Sequence, residues 1–377
     1  MRCLRRHLCL CLSLIDMSMG IYIHIPFCVK KCNYCDFNSS DKINHLKKPY
    51  VDALICEINS SNYDDTVDSV FVGGGTPTSI NIQDLTEIIK CIQNKFNLKD
   101  AEITVEVNPA TINKHGFAML KNCGVNRISL GLQSADDAEL KTLGRIHRYS
   151  DFLKSYNNAL NVGFDNINVD LMFSLPGQTL EKWQKTLSSV VKLKPQHISC
   201  YSLIIEEGTP FYNMDLNLPS EDTDREIYEH TVAFLKANEY NQYEISNFAK
   251  RNKECKHNIK YWRCENYIGF GAGASSLYNG VRFNNSVDVS EYIKNNQQHK
   301  IVLSDEDKVS EYIFLGLRMN EGIDLKEFYN RFGFDFLERY DNIIEKYVRL
   351  NLMEVDTHCR LTLDGFSVSN SIMSEFV

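Results

Sequence analysis

Residues 21–37 read IYIHIPFCVKKCNYCDF. The first five alternate and carry β-branched and aromatic side chains, so they predict a strand that ends at Pro26. Cys28, Cys32 and Cys35 follow at once, spaced C-x3-C-x2-C. Three thiolates leave one iron of a four-iron cluster without a protein ligand, as is required if a small molecule is to bind the metal. Zinc is the rival: a closed structural zinc site needs four Cys or His ligands, and His24 or a distant cysteine could supply the fourth. The spacing and its position just after a strand favour the cluster.

Working outward, short runs rich in β-branched and aromatic residues recur at 20–26, 69–74, 103–108, 127–133, 166–173 and 197–204. Helical spacing fills the gaps, as in IQDLTEIIKCIQNKF at 82–96, where Leu85, Ile88, Ile89 and Ile92 share one face. Strand and helix repeated six times predict an α/β fold with a parallel sheet curled into a partial (β/α)6 TIM-like barrel, its ligand site at the C-terminal ends of the strands. Those ends carry the cysteines, Gly73 to Gly75, Glu106, Gln133, Asp170 and Ser202. The domain boundaries read as an extension at 1–19, a barrel at 20–218, a segment covering the barrel at 219–302, and a mostly helical, winged-helix-like unit at 303–377.

Composition narrows the function classes. A net charge of −8 over 377 residues, with 8 Lys and Arg against 15 Asp and Glu in 301–377, disfavours a nucleic-acid partner. Thirteen cysteines, an odd number set mostly in apolar segments, read as a reducing compartment, hence the cytoplasm; Cys56, Cys91, Cys123 and Cys200 are expected as small buried hydrophobes. The first residues, MRCLRRHLCLCLSLIDMSMG, pair basic charge with a short apolar run. Without a small-residue cleavage site the run is not a secretory signal, and the stretch is either a targeting segment or lies upstream of a start at Met17 or Met19. No stable membrane insertion is expected.

On these motifs the chain resembles the radical S-adenosylmethionine superfamily, and within it the oxygen-independent coproporphyrinogen dehydrogenases and their relatives, the haem chaperones. The likeness runs from about residue 20 to the C-terminus, where LRMNEGIDL and LTLDG resemble the accessory domain shared by both branches. It implies a 4Fe-4S cluster on Cys28, Cys32 and Cys35, with S-adenosylmethionine chelating the open iron and an external reductant feeding the cluster. Tyr22 and Tyr34 match positions lining the methionine and adenine sites. Gly74, Gly75 and Thr76 of VGGGTPT belong to the same pocket, and Glu106, Gln133, Arg145 and Asp170 match the polar contacts to the cofactor. Carboxylates suit hydroxyls and an ammonium, and Arg suits a carboxylate.

A second cluster, Cys255-Lys-His257-Asn258-Ile-Lys-Tyr261-Trp262, resembles the H-N-x-x-Y-W signature of the chaperone branch. An imidazole beside flat rings suits haem, with His257 as the expected axial ligand and Cys255 as the alternative. The dehydrogenases carry a fourth cysteine two positions after the third, whereas this chain has Phe37, and it lacks most of their longer N-terminal segment. Both departures favour a haem chaperone that passes haem to an unidentified acceptor protein, with at most weak S-adenosylmethionine cleavage. The alternatives are a coproporphyrinogen III dehydrogenase and a radical methyltransferase.

Overall fold

The computed structural model describes residues 18–376, so the extension read at 1–19 falls almost wholly outside the described residues. Six parallel strands form the centre of the fold: β1 (Met19–Ile25), β2 (Thr66–Gly74), β3 (Asn97–Val107), β4 (Arg127–Gln133), β5 (Ile167–Phe173) and β6 (His197–Ser202). In register they set Ile23 beside Val72, Val105 beside Ile128, and Val169 beside Ile198. These apolar side chains are fully buried. They share one core with Leu85, Ile88, Ile89 and Ile92 of the helix Ile82–Lys95, whose first turn Asn81 caps by accepting from the Gln83 amide.

The alternate set faces the other way, because successive strand side chains point to opposite faces. Tyr22, Phe71, Thr104 and Arg127 form one cross-strand row, and Glu106, Ser129, Asn168 and His197 another. The second row is polar and internally bonded: Asn168 donates to Ser129, Ser129 to Asp170, and the His197 ring meets Asn168 at 2.6 Å.

Residues 219–302, expected as a cover, begin with the helix Glu221–Ala237, which packs beside the helix Leu180–Val191, Trp183 donating to Thr231. The strands that follow widen the sheet at both edges. β7 (Asn241–Glu244) and β8 (Asn247–Ala249) extend it beyond β6. β9 (Tyr267–Phe270) pairs parallel with β1, and β10 (Ser275–Tyr278), β11 (Val281–Asn284) and β12 (His299–Ile301) continue outward, giving twelve strands. The glycines of YIGFGAGASS permit this approach: a Cβ on Gly271, which has φ +102°, would lie 2.5 Å from the Tyr50 hydroxyl and 2.6 Å from the His24 carbonyl. Between β8 and β9 the short helix Lys256–Trp262 enters the concave side, with His257 stacked on Phe71 and Tyr22.

The C-terminal unit has the helices Asp305–Gly316 and Leu325–Phe332, and a sheet ordered β13 (Ile323–Asp324), β15 (His358–Leu361), β14 (Met353–Val355). Two further helices, Phe336–Arg339 and Asp341–Arg349, are separated at Tyr340. Of the four cysteines expected inside, Cys123 and Cys200 are buried, Cys91 is half-buried with its thiol on Asn59, and Cys56 is exposed on the helix Lys47–Ser60. No helix among the described residues is long and apolar enough to cross a membrane.

Gly271→Ala should cost ~2–4 kcal/mol, combining φ strain with overpacking. Gly280→Ala, also at positive φ but facing open space, should cost only about 1 kcal/mol. Urea-unfolding midpoints of the two variants test the difference.

Candidate functional site

The cysteine loop is fixed by its backbone. The Cys28 amide bonds the Ser40 carbonyl at 3.0 Å, Asn33 bonds Leu143 at 3.0 Å, and Phe211 bonds Asn33 at 2.9 Å. The glycine turn after β2 locks onto the same loop, with the Gly75 amide on Ile25 and the Thr76 amide on Phe27. A Cβ on Gly75 would lie 2.8 Å from the Phe27 carbonyl, so only glycine allows this contact.

Above the strand ends lies a cavity of about 430 Å3 lined by Cys28, Cys32, Cys35, Tyr34, Gly74, Gly75 and Thr76. Glu106, Asn108, Gln133, Arg145 and Asp170 complete its polar wall. Gln133 has φ +72° at an irregularity in the β4–β5 pairing, a left-handed backbone that a side chain occupies at a cost. The thiols are free, Cys28 buried and the other two half-buried. Thr76 donates to the Cys28 sulfur at 3.7 Å, and Arg145 to the Cys32 sulfur at 3.6 Å. Burial, with Asp170 nearby, pushes the Glu106 carboxyl up to about 8, so it stays protonated near neutrality unless a cationic ligand reverses the balance.

This donor set suits a four-iron cluster. Three free thiols line one cavity, and a cluster takes one thiolate per iron. His24, one of the two candidates for a fourth ligand under the zinc reading, has both ring nitrogens engaged, by the Tyr22 hydroxyl at 3.0 Å and the Asn38 carbonyl at 2.8 Å.

A second cavity, of about 520 Å3, adjoins the first and shares Phe37, Gly74 and Glu106 with it. Its walls are aromatic: Tyr22, Tyr261, Trp262 and Tyr267, with Leu277 and Leu315. Arg282 lines it with a buried, unpartnered Nε while its Nη2 pairs with Glu311 at 3.0 Å. The Trp262 indole N–H is also buried without a partner, and the Arg318 guanidinium sits 4.5 Å from the ring centroid.

Residues 22–190 match the Radical SAM superfamily and residues 303–368 the HemN C-terminal domain. A Lactococcus lactis protein named heme chaperone HemW is 36% identical over 97% of this chain and 98% of its own length. A Bacillus subtilis protein of the same name is 35% identical over 94% of this chain and 98% of its own. The chain belongs to the HemW family of radical SAM proteins. The solved coproporphyrinogen III oxidase HemN from Escherichia coli shares the fold, with TM-score 0.84 over 96% of this chain and 90% of that one at 24% identity.

Of the residues that the family likeness assigned to the cofactor, all but Tyr22 line the cysteine cavity; Tyr22 lies on the aromatic one. Tyr261 and Trp262 also reach the aromatic cavity, while half-buried Asn258 is not among its lining residues. His257, expected as the axial ligand, lines neither cavity. It is 1% exposed, its ring nitrogens meet Ser69 Oγ at 3.1 Å and the Tyr261 hydroxyl at 2.8 Å, and burial with Lys260 and Arg127 holds it down at about 3. Its hydrogen bond runs to Tyr261, which does line the aromatic cavity. Cys255, the alternative ligand, is wholly buried, and its thiol is pushed up to about 12 by that burial.

Sequence reading missed Asn108 and Arg282. Asn108 could have been found two residues after Glu106 in TVEVNP, at a strand end, whereas Arg282 carries no motif.

For Glu106 the folded chain keeps a proton that the unfolded chain releases, so stability should be lost as pH rises from the ordinary 4.5 to about 8. Glu106→Gln should therefore stabilise the metal-free protein by an amount that grows between pH 5 and 8 and then levels off. A gap in urea midpoint that does not change with pH would contradict a protonated Glu106.

Proposed function

We propose that this protein is a haem chaperone: it holds a 4Fe-4S cluster on Cys28, Cys32 and Cys35, takes S-adenosylmethionine in the cysteine cavity, binds haem in the aromatic cavity, and passes the haem to an acceptor protein. The observation that carries the reading is the pair of adjoining cavities, one lined with thiols and polar groups and the other with five aromatic side chains. Full-length similarity to proteins named heme chaperone supports it.

When bound, the cluster supplies one electron to a ligand on its open iron. The chain positions what surrounds it. Tyr34, Gly74, Gly75 and Thr76 form the floor of the site, and Gln133, Asp170 and Glu106 offer polar contacts to an amino acid and a ribose. In the neighbouring cavity Tyr261 and Trp262 provide apolar surface for a macrocycle, and Arg282 provides a cation for a propionate. His257 orients Tyr261 through their hydrogen bond. Phe37, 63% exposed at the shared wall, replaces the fourth cysteine of the coproporphyrinogen dehydrogenases and weighs against decarboxylation. Free thiols serving a cluster call for a reducing compartment, which we take to be the cytoplasm, with a reductant there feeding the cluster.

After anaerobic reconstitution, haem should give a saturable Soret shift. Trp262→Ala should weaken binding about tenfold, the order expected for a lost aromatic contact. His257→Ala should weaken it without moving the Soret maximum, and Cys32→Ala should abolish the brown chromophore. Coproporphyrinogen III with S-adenosylmethionine and dithionite should yield no protoporphyrinogen; efficient decarboxylation would overturn the chaperone reading.

A further inference from the structure

We infer that Asn108 is a positioning residue that joins Arg145 and Thr76 into a directed chain of hydrogen-bond donors ending on two cysteine sulfurs, and that this chain raises the reduction potential of the cluster held there. The inference rests on the reading of Cys28, Cys32 and Cys35 as cluster ligands.

The direction of the chain follows from donor chemistry. A guanidinium only donates, so the Arg145 Nη2, 2.7 Å from Asn108, fixes the amide with Oδ1 toward the arginine. The Asn108 Nδ2 must then face Thr76 Oγ1, which it reaches at 2.7 Å. With its oxygen already accepting, Thr76 turns its proton to the Cys28 sulfur at 3.7 Å. Arg145 also reaches the Cys32 sulfur directly through Nη1 at 3.6 Å, and is held by the Gly131 carbonyl at 2.6 Å. Thr76 is 2% exposed, so water does not compete for its hydroxyl. One cation thus polarises two of the three ligands.

Hydrogen bonds to ligand sulfur and nearby positive charge favour the more negative, reduced cluster, and such outer partners tune metal centres strongly. No other common side chain fits the central position. Alanine cuts the chain, and aspartate keeps the acceptor for Arg145 but adds a negative charge and offers no donor to Thr76.

The test is an anaerobic titration of the reconstituted full chain, in which the oxidised cluster takes one electron from dithionite in the presence of mediators, followed by electron paramagnetic resonance. Relative to the unmodified protein, Asn108→Ala should lower the reduced-to-oxidised ratio at fixed potential on the order of tenfold, about 59 mV for a one-electron couple. Asn108→Asp should fall further, Thr76→Val should fall less than Asn108→Ala, and Thr76→Ser should keep the original potential. The inference is overturned if Asn108→Ala and Thr76→Val keep the original potential at equal iron content. It is overturned equally by a rise, the sign expected from water entering, or by failure of both variants to hold a cluster. If the unmodified protein itself forms no brown chromophore, the ligand reading fails and takes this inference with it.

Discussion

Half the side chains of β1 to β6 point into the concave side of the sheet, and most polar groups among them have to find a partner there, Thr104 Oγ1 and Arg127 Nε being left without one. This constraint organises the molecule. Toward the C-terminal ends the partners are one another and the cysteine loop. Toward the middle they come from the helix Lys256–Trp262, whose His257 bonds Ser69 and stacks on Phe71 and Tyr22. Apolar layers, the usual filling of a closed barrel, are replaced by a bonded polar interior and one inserted helix. The same replacement leaves room for two cavities where a closed barrel would have a packed centre.

Much of this was legible in the chain. RISLGLQ was read with the bounds that the structure gives, because its alternation is clean. The start of β3 was not, since NLKDAE is charged and largely exposed and becomes a strand only through pairing with Thr66 and Val67. YIGFGAGASS was read as a cover because a four-residue strand beside glycines carries no usable period; what makes it a strand is β1, which no local pattern reports. Tyr340 interrupts a helix whose apolar spacing runs straight through it.

Site residues divide along the same line. The cysteines and the glycine turn were visible because spacing and strand position are sequence properties. The surroundings of His257 were not, because residue type says nothing about which groups meet a ring nitrogen, and here Ser69 and Tyr261 do. Asn108 escaped for the converse reason: its importance lies in orienting two neighbours rather than in its own chemistry.

Gly74 and Glu106 face both cavities, so a ligand on one side of this wall changes the electrostatic environment on the other. A cation that drew the proton from Glu106 would leave a negative charge at the edge of the aromatic chamber.

β1 opens the described chain yet lies inside the sheet, flanked by β2 and, across most of the sequence, by β9. Asn38, just past the last cysteine of the motif, is likewise tied to Ala272 and Val287. On the ribosome the thiols therefore emerge early, while the segments that brace them arrive only when synthesis is well past its midpoint. Until Ala272 and Val287 are made, the loop that carries the thiols lacks the bonds that hold Asn38 in the folded chain.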